Sequence, residues 1–566
     1  MRIARFLSDL EHLLKNRGIE RTLCIDFPAI GKSFDRGLSL GEFVPNLKVS
    51  IYQGTGPRSE GQTLGVVPLI ELCFYKSAEG RWLLRSDLDP TVVFYCRTFF
   101  YGCKKLELPA PASIVEACTL DFFKVDNWVS DIDTKNIWSD RRGRYVLDIL
   151  DQVASRFIPL EYPEWKDLNP KHGPGAVSDL AFRKKDKFSF PTWPDPLQEW
   201  FPYQEFAFHK YMDRKSPGGD SLAKVCSVPK TLDKVRIITI EPAANQFIQQ
   251  SLRGWLISKQ TAVARICIDT FDQERSKAAA KEASIDGSSA TVDLKSASDY
   301  LSTSLVRRIF KGNQVLLDML LACRSSHVLA PDGRHVPLKK YAGQGNATTF
   351  VVQSLVYAIL AVTAILADER CQKVSRKRVQ KAATKVRVFG DDILLPSQNL
   401  STFDELCMVV GLTINWDKTH NRGYFRESCG GDYYKGYDVT PFYIKDFHRR
   451  QTPEGLVSWC AVANNAYDKG LLQTAYAMRR GLNLPVNSPS GIGFSCRLPF
   501  RYSPKGSRWN GDLQRREFLE FVASARNRYR DSELRYGRLY KYFVEKPTNL
   551  VSWQGRLTTS TALRLR

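Results

Sequence analysis

Lys385-Val-Arg-Val-Phe-Gly390-Asp391-Asp392-Ile-Leu-Leu-Pro396 is the stretch on which the reading of this chain turns. Two short apolar runs flank Gly-Asp, a turn-forming pair, so the sequence predicts a β-hairpin with adjacent carboxylates at its tip. Two acids on a rigid turn repel each other unless a cation lies between them, which points to a metal. Taken alone, a solvated Asp-rich turn is the commoner fate of such a tripeptide, so the flanking motifs have to decide.

Upstream, Ala290-Thr-Val-Asp293-Leu294 reads as a short strand ending in an acid, followed by Lys295-Ser-Ala-Ser298-Asp299 in a turn or helix start. Phosphoryl transfer through two metal ions, roughly 3.5–4 Å apart, takes carboxylates from separate strands, and Asp293 with Asp391 could supply them. Ser298 or Asp299 equally reads as a helix N-cap. Between the two lies Gly343-Gln-Gly345-Asn346-Ala347-Thr348-Thr349-Phe350, whose glycines allow close backbone approach. Asn346 there is either a ribose-hydroxyl partner or the cap of the next helix.

Further upstream, Val228-Pro229-Lys230-Thr-Leu-Asp-Lys234-Val-Arg236 through Glu241-Pro242 carries Lys230, Lys234 and Arg236, a set able to clamp a triphosphate or simply to line a basic edge strand. Downstream, Lys418 in Asn415-Trp-Asp-Lys418-Thr419-His420 is either a general acid for departing pyrophosphate or a surface lysine.

Composition agrees with a polyanion-binding globular protein. The 566 residues suggest three or four structural units, and Lys plus Arg (82) exceeds Asp plus Glu (60) by 22. The 13 cysteines show no zinc-type or disulfide spacing and read as free thiols. The seven histidines show no metal-ligand spacing, so any catalytic metal falls to carboxylates, which suits magnesium or manganese.

The apolar residues of the first 14 positions recur at helical spacing, interrupted by Asp9 and Glu11, which predicts an amphipathic helix rather than a signal peptide. Phe350–Leu366 is apolar but short and carries Gln353, Ser354, Tyr357 and Thr363, and is expected to be a buried helix with no membrane span. Leu64–Phe74 and Thr91–Phe100 read as strand-like runs. Lys171-His-Gly173-Pro-Gly175-Ala176 is a tight turn whose amides could meet a phosphate. Lys373–Arg387 reads as a solvated basic connection. The tail interleaves basic and aromatic residues from Arg526 to Tyr542, which suits a nucleic-acid surface or a solvated helix face.

The order of these motifs resembles the palm of right-hand RNA-dependent RNA polymerases. More narrowly, "DLKSASDYLS" (293–302), "GNATTF" (345–350), "FGDDILLP" (389–396) and "FRESCGGDYYKGYDVTPFYIK" (425–445) resemble the replicase β subunit of single-stranded RNA bacteriophages, the leviviruses. "VPK…R…IEP" (228–242) and "GPGA" (173–176) also look like that family. The resemblance covers about residues 171 to 445.

It implies an α+β right-hand polymerase of fingers, palm and thumb with an antiparallel palm sheet. Residues 1–165 would be an N-terminal region forming part of the fingers. Residues 166–289 would be fingers with the basic nucleotide-binding element, 290–445 the palm, and 446–566 the thumb and basic C-terminal region. It implies Asp293, Asp391 and Asp392 as metal-binding carboxylates for two Mg²⁺ ions, with Mn²⁺ able to substitute. Asp299 and Asn346 would sense the ribose 2′-hydroxyl, Lys230, Lys234 and Arg236 would bind the triphosphate, and Lys418 would be the general acid.

Phe389 stands where many such polymerases have tyrosine, and Gly343 where a small hydroxyl residue is frequent. The expected partners are a single-stranded RNA template, nascent RNA and ribonucleoside triphosphates. The resemblance also implies host elongation factors Tu and Ts and a host ribosomal RNA-binding protein as partners, in the cytoplasm of an infected bacterium. A reverse transcriptase is the rival enzyme, and a basic RNA-packaging protein the rival without catalysis.

Overall fold

The computed structural model describes residues 20–45, 66–105, 110–130, 141–173, 175–180, 187–207, 215–231, 234–371, 373–444 and 453–480, with shorter segments at 508–517, 521–527 and 558–565. The expected helix at residues 1–14, Pro174 of the "GPGA" turn, Lys445 and the basic-aromatic tail beyond Asn527 lie outside the described residues.

Helices are interspersed with small, mostly antiparallel sheets, a mixed content that fits an α+β arrangement. Near the N-terminus, β1 (Glu42–Phe43), β2 (Phe74–Lys76) and β3 (Trp82–Leu84) pair in the order β1-β3-β2. A second sheet has the order β5-β4-β7-β8, from β4 (Leu222–Thr231), β5 (Lys234–Ile240), β7 (His327–Leu329) and β8 (His335–Pro337). The third, order β6-β10-β9, contains β6 (Ser289–Val292), β9 (Arg387–Phe389) and β10 (Asp392–Pro396), and both pairings are antiparallel. The fourth is the meander β11 (Phe425–Ser428), β12 (Gly431–Tyr434) and β13 (Tyr437–Asp438). After the helices Pro453–Asp468 and Leu472–Arg480, the described C-terminal segments form the strand pairs Arg508–Asn510 with Arg515–Glu517 and Phe521–Asn527 with Thr558–Leu565.

The two strand-like N-terminal runs are a correction. Val66–Cys73 is a helix that only then passes into β2, and Pro90–Tyr101 is a helix throughout. β-branched and aromatic residues suggested strands, but the buried positions Val93, Cys96, Arg97 and Phe100 recur at i, i+3, i+4 and i+7. Asp89 accepts the Thr91 amide at 2.7 Å as the N-cap, and Pro90 at the first turn has its φ preset for a helix. Packing then outweighs propensity: Phe100 meets Phe34 of the helix Glu20–Leu40 at 5.4 Å between ring centroids.

The helix Thr349–Asp368 is the central core element. It is long and apolar enough to cross a membrane, yet 94% of its most apolar window is buried inside the protein. It packs against the helices Arg141–Phe157 and Leu400–Val409. Each fully buried aliphatic side chain, such as Val352, Val356, Ile359 and Leu360, contributes about 1.5–3 kcal/mol of transfer free energy. The Thr363 hydroxyl donates to the Ile359 carbonyl and the Tyr357 hydroxyl to the Ala297 carbonyl, both at 2.7 Å, while Gln353 Oε1 is buried without a described partner. Arg370, in the left-handed region (φ +50°), ends it, and the Cys371 amide returns to the Leu366 carbonyl at 3.2 Å.

Candidate active site

The Gly390-Asp391 turn forms the predicted hairpin, with Asp392 paired to Phe389 and Ile393 to Val388. Gly390 has φ +63°, and a Cβ there would come within 2.7 Å of the Phe350 ring. The turn is pinned to the start of the central helix. The Gly390 amide donates to Ser354 Oγ at 3.1 Å, Ser354 donates to the Phe350 carbonyl at 2.7 Å, and Phe350 meets Phe389 edge-on at 5.1 Å.

Asp293 follows directly on β6. Because Ile393 pairs with Val292, the next step of the ladder brings Asp392 level with Asp293. Asp391 is exposed at the tip and Asp392 is half-buried. Burial, with repulsion from Asp391, Glu427 and Asp293, pushes the Asp392 carboxyl up to about 7, although a hydrogen bond from the Cys429 backbone opposes this. Among the described residues, no three His, Cys, Asp or Glu side chains already converge as a metal cage. The donor set nonetheless fits a hard divalent cation, because these are oxygen ligands whose mutual repulsion such an ion relieves.

Asp293 is held by the segment that carries Lys418. Asn415 Nδ2 donates to Asp293 Oδ2 at 2.6 Å, the Asn415 amide donates to the Asp293 carbonyl at 2.8 Å, and Lys418 Nζ lies 3.4 Å from Oδ2. Burial alone would pull the Lys418 ammonium down, but Asp293 and Glu427 more than offset this and hold it above its ordinary value. The register of the following segment is fixed by reciprocal Thr291–His420 backbone bonds at 3.0 and 2.9 Å.

The basic element is the β4–β5 hairpin. Val228 pairs with Arg236 and Thr231 with Lys234, which leaves Lys230 as the extra residue of a bulge. A bulge re-aims a side chain, and Lys230 lies within electrostatic reach of the acids. Partial desolvation, Arg236 and Lys418 lower its ammonium while Asp293 and Asp391 pull it back up, so Lys230 shares their field. Lys234 and Arg236 lie on the exposed face of β5. Lys230, Arg236, Asp293, Asp391, Asp392 and Lys418 therefore share one electrostatic neighbourhood, and no described contact joins Lys234 to it.

Asn346 is buried but does not cap the helix. Its Oδ1 accepts from the Thr348 amide at 2.8 Å and the Thr348 hydroxyl at 2.7 Å, while its Nδ2 is buried without a described partner. Close packing fixes this loop, since a Cβ on Gly345 would overlap the Thr239 carbonyl. Asp299 does not cap a helix either. The N-cap is Ser302, whose Oγ accepts the Leu305 amide at 3.0 Å, and Asp299 instead meets Lys340 Nζ at 3.1 Å.

Asn415, Glu427 and Lys340 are the residues sequence reasoning did not single out. Asn415 sits three positions before Lys418, its only sequence signal. Glu427 lies inside the long 425–445 string, and Lys340 lies in a stretch that resembles nothing in particular.

Residues 210–457 match the protein-family model for the RNA replicase, beta-chain. The chain is 37% identical over 246 residues to the RNA-directed RNA polymerase subunit beta of Escherichia virus Qbeta, covering 43% of this chain and 38% of that relative. It is 33% identical over 222 residues to the RNA-directed RNA polymerase beta chain of Escherichia phage MS2, covering 39% and 37%. The aligned part thus spans less than two-fifths of the length of these relatives. Among solved structures, the chain is similar to the RNA-dependent RNA polymerase of a human picorbirnavirus, with 12% identity, TM-score 0.43, and coverage of 66% of this chain and 76% of that one. It is through the segment holding the hairpin, its carboxylates and Lys418 that this chain is similar to the RNA replicase beta chains.

Proposed function

We propose that the chain is the catalytic subunit of a phage replicase, an RNA-directed RNA polymerase that copies single-stranded RNA. The observation that carries this is the meeting of Asp293, at the end of one strand, with the Gly390-Asp391-Asp392 hairpin, in an electrostatic neighbourhood shared by Lys230 and Lys418. In this reading the sheet β6-β10-β9 is the palm, the segment before it belongs to the fingers, and residues from 446 onward form the thumb.

Asp293, Asp391 and Asp392 would hold two divalent cations, Mg²⁺ by oxygen-ligand chemistry, with Mn²⁺ as a substitute. When bound, such ions activate the attacking RNA 3′-hydroxyl and neutralise charge at the α-phosphate. The chain's own groups do the rest. Asn415 and Lys418 orient the Asp293 carboxylate, and Lys230 and Arg236 draw in the triphosphate. Asp299 and Asn346 meet the ribose, and Lys418, kept protonated by its acidic neighbours, gives its proton to pyrophosphate as it leaves. The same reading brings host elongation factors Tu and Ts and a ribosomal RNA-binding protein as partners, in the bacterial cytoplasm.

The test is incorporation of labelled ribonucleotides on a defined RNA template, with the full chain, with and without bacterial extract. Asp391→Asn is expected to abolish incorporation while leaving RNA binding within about twofold, as befits loss of charge stabilisation rather than of affinity. Synthesis retained by Asp391→Asn would refute the site. Preference for deoxyribonucleotides would favour a reverse transcriptase, and metal-independent RNA binding without synthesis a packaging protein.

A further inference from the structure

The helix Ala112–Ser130 reaches the site through one buried cation. The Lys340 side chain is 0% exposed, and its Nζ lies 3.1 Å from Asp299 Oδ1. The same ammonium donates to the Phe122 carbonyl at 3.3 Å and stands 3.5 Å from the centroid of the Phe122 ring. One turn along that helix, Asp126 accepts the backbone amides of Lys339 at 3.1 Å and of Lys340 at 2.9 Å. Side chain and backbone of position 340 are therefore gripped by the same helix.

The acid is fixed just as closely. The Asp299 amide donates to the Ser296 carbonyl at 2.7 Å. Two residues on, the Tyr341 amide donates to the Leu301 carbonyl at 2.6 Å, and Ser302 bridges Lys340. A fully buried lysine is costly unless an acid and further acceptors surround it, so a simple packing role would be better filled by an apolar side chain of the same length. What the cation does is leave the Asp299 carboxylate half-used. Oδ1 is held by Lys340, whereas Oδ2 makes no hydrogen bond among the described residues and the side chain keeps 13% of its surface open. Tyr341, tied to Leu301 through its amide, also meets Thr348 Oγ1 at 2.9 Å, and Thr348 in turn bonds Asn346, whose buried Nδ2 is an unfilled donor. A hydroxyl both donates and accepts, and such a pair of vacancies suits it.

We propose that Lys340 is a positioning residue for ribose recognition. It clamps Asp299 Oδ1 so that Oδ2 stays presented to the 2′-hydroxyl of the incoming nucleotide, and the helix Ala112–Ser130, through Phe122 and Asp126, holds the clamp. This rests on the reading of Asp299 and Asn346 as the ribose-sensing pair. It gives the N-terminal region a part in substrate choice, although none of its residues needs to touch the nucleotide.

The experiment measures kcat/KM for a ribonucleoside triphosphate and for its 2′-deoxy counterpart on one RNA template, with the full chain in the extract that supports synthesis. Lys340→Met, close to isosteric, is expected to lower the ribo-to-deoxy ratio by about tenfold or more, the worth of one misplaced charge-assisted hydrogen bond. A purely structural role would lower both rates together and leave the ratio unchanged, and that result would overturn the proposal. Because Lys340→Met strands a buried carboxylate and risks misfolding, Asp299→Asn is compared with the double variant Lys340→Met/Asp299→Asn, which has no stranded charge. If Lys340 acts through Asp299, these two share one ratio. A further fall in the double variant shows a route that bypasses Asp299 and also overturns it. Absence of any synthesis by the unmodified chain would count against the polymerase reading itself, a failure distinct from either of these.

Discussion

Replacing Arg97 with methionine tests how the N-terminal helices are fastened to the sheet behind the site. The Arg97 guanidinium is 2% exposed and lies between two buried acids. It donates to Asp35 Oδ1 at 2.7 Å and Oδ2 at 3.0 Å, to Asp432 Oδ2 at 2.8 Å and to the Val439 carbonyl at 2.8 Å, with the Phe425 ring 4.8 Å away. Asp35 is on the helix Glu20–Leu40 and Asp432 on β12, opposite Glu427, so one cation joins three separate elements.

Methionine fills the space but leaves two buried carboxylates without a counter-charge, which costs about 3–5 kcal/mol. The pH dependence identifies the cause. Burial already raises both carboxyls above their ordinary value, and Arg97 works against this. Without Arg97 both rise further, so the folded state binds protons that the unfolded chain releases near 3.8. A carboxyl raised on folding adds stability at low pH and loses it as pH climbs through the folded value. The deficit of Arg97→Met should therefore be smaller at pH 5 than at pH 8. Urea unfolding followed by tryptophan fluorescence measures it at both. Adding Asp35→Asn and Asp432→Asn should recover most of the loss. A deficit under about 1 kcal/mol, or one equal at the two pH values, would show that the acids are solvated and the argument wrong.

Gly345→Ala places a methyl where the Thr239 carbonyl stands, and neither backbone can yield cheaply, so we expect a loss of about 1–3 kcal/mol and a sharp fall in RNA synthesis as Asn346 is displaced. An unchanged melting temperature and rate would contradict the packing described. His420 is 1% exposed, and burial, with Arg426 and Arg97 nearby, holds its imidazole down at about 3 against an ordinary 6.5. A base depressed on folding loses stability as pH falls, here between 6.5 and about 3, by about 1.4 kcal/mol per pH unit within that window. His420→Gln should flatten that slope in acid unfolding curves, and a slope identical to that of the unmodified chain would place the ring in solvent.

Much of the site was legible in the chain because its chemistry is carried by local turns. Gly-Asp-Asp between two apolar runs can hardly form anything but a hairpin, and the acid at the end of Ala290–Leu294 follows from strand periodicity. The apolar stretch around Phe350–Leu366 was legible as a buried helix because it is short for a membrane span and Gln353, Ser354, Tyr357 and Thr363 interrupt it, Ser354 and Thr363 bonding carbonyls one turn back. The N-terminal helices were not. Val66–Cys73 and Pro90–Tyr101 are rich in residues that favour strands, and only the partners that cover one face of each make helix the better choice.

Side-chain pairing was equally hidden. Asp299 and Lys340 lie 41 residues apart, Asp293 and Asn415 122 apart, and Arg97 and Asp432 335 apart. The sequence by itself determined which acids and bases the site could call on, since turn and strand preferences act over a few neighbouring residues. Only the tertiary structure decided which oxygen each cation holds and which it leaves unpaired. Burial sets that choice, and burial depends on chain segments that meet only once the protein has folded.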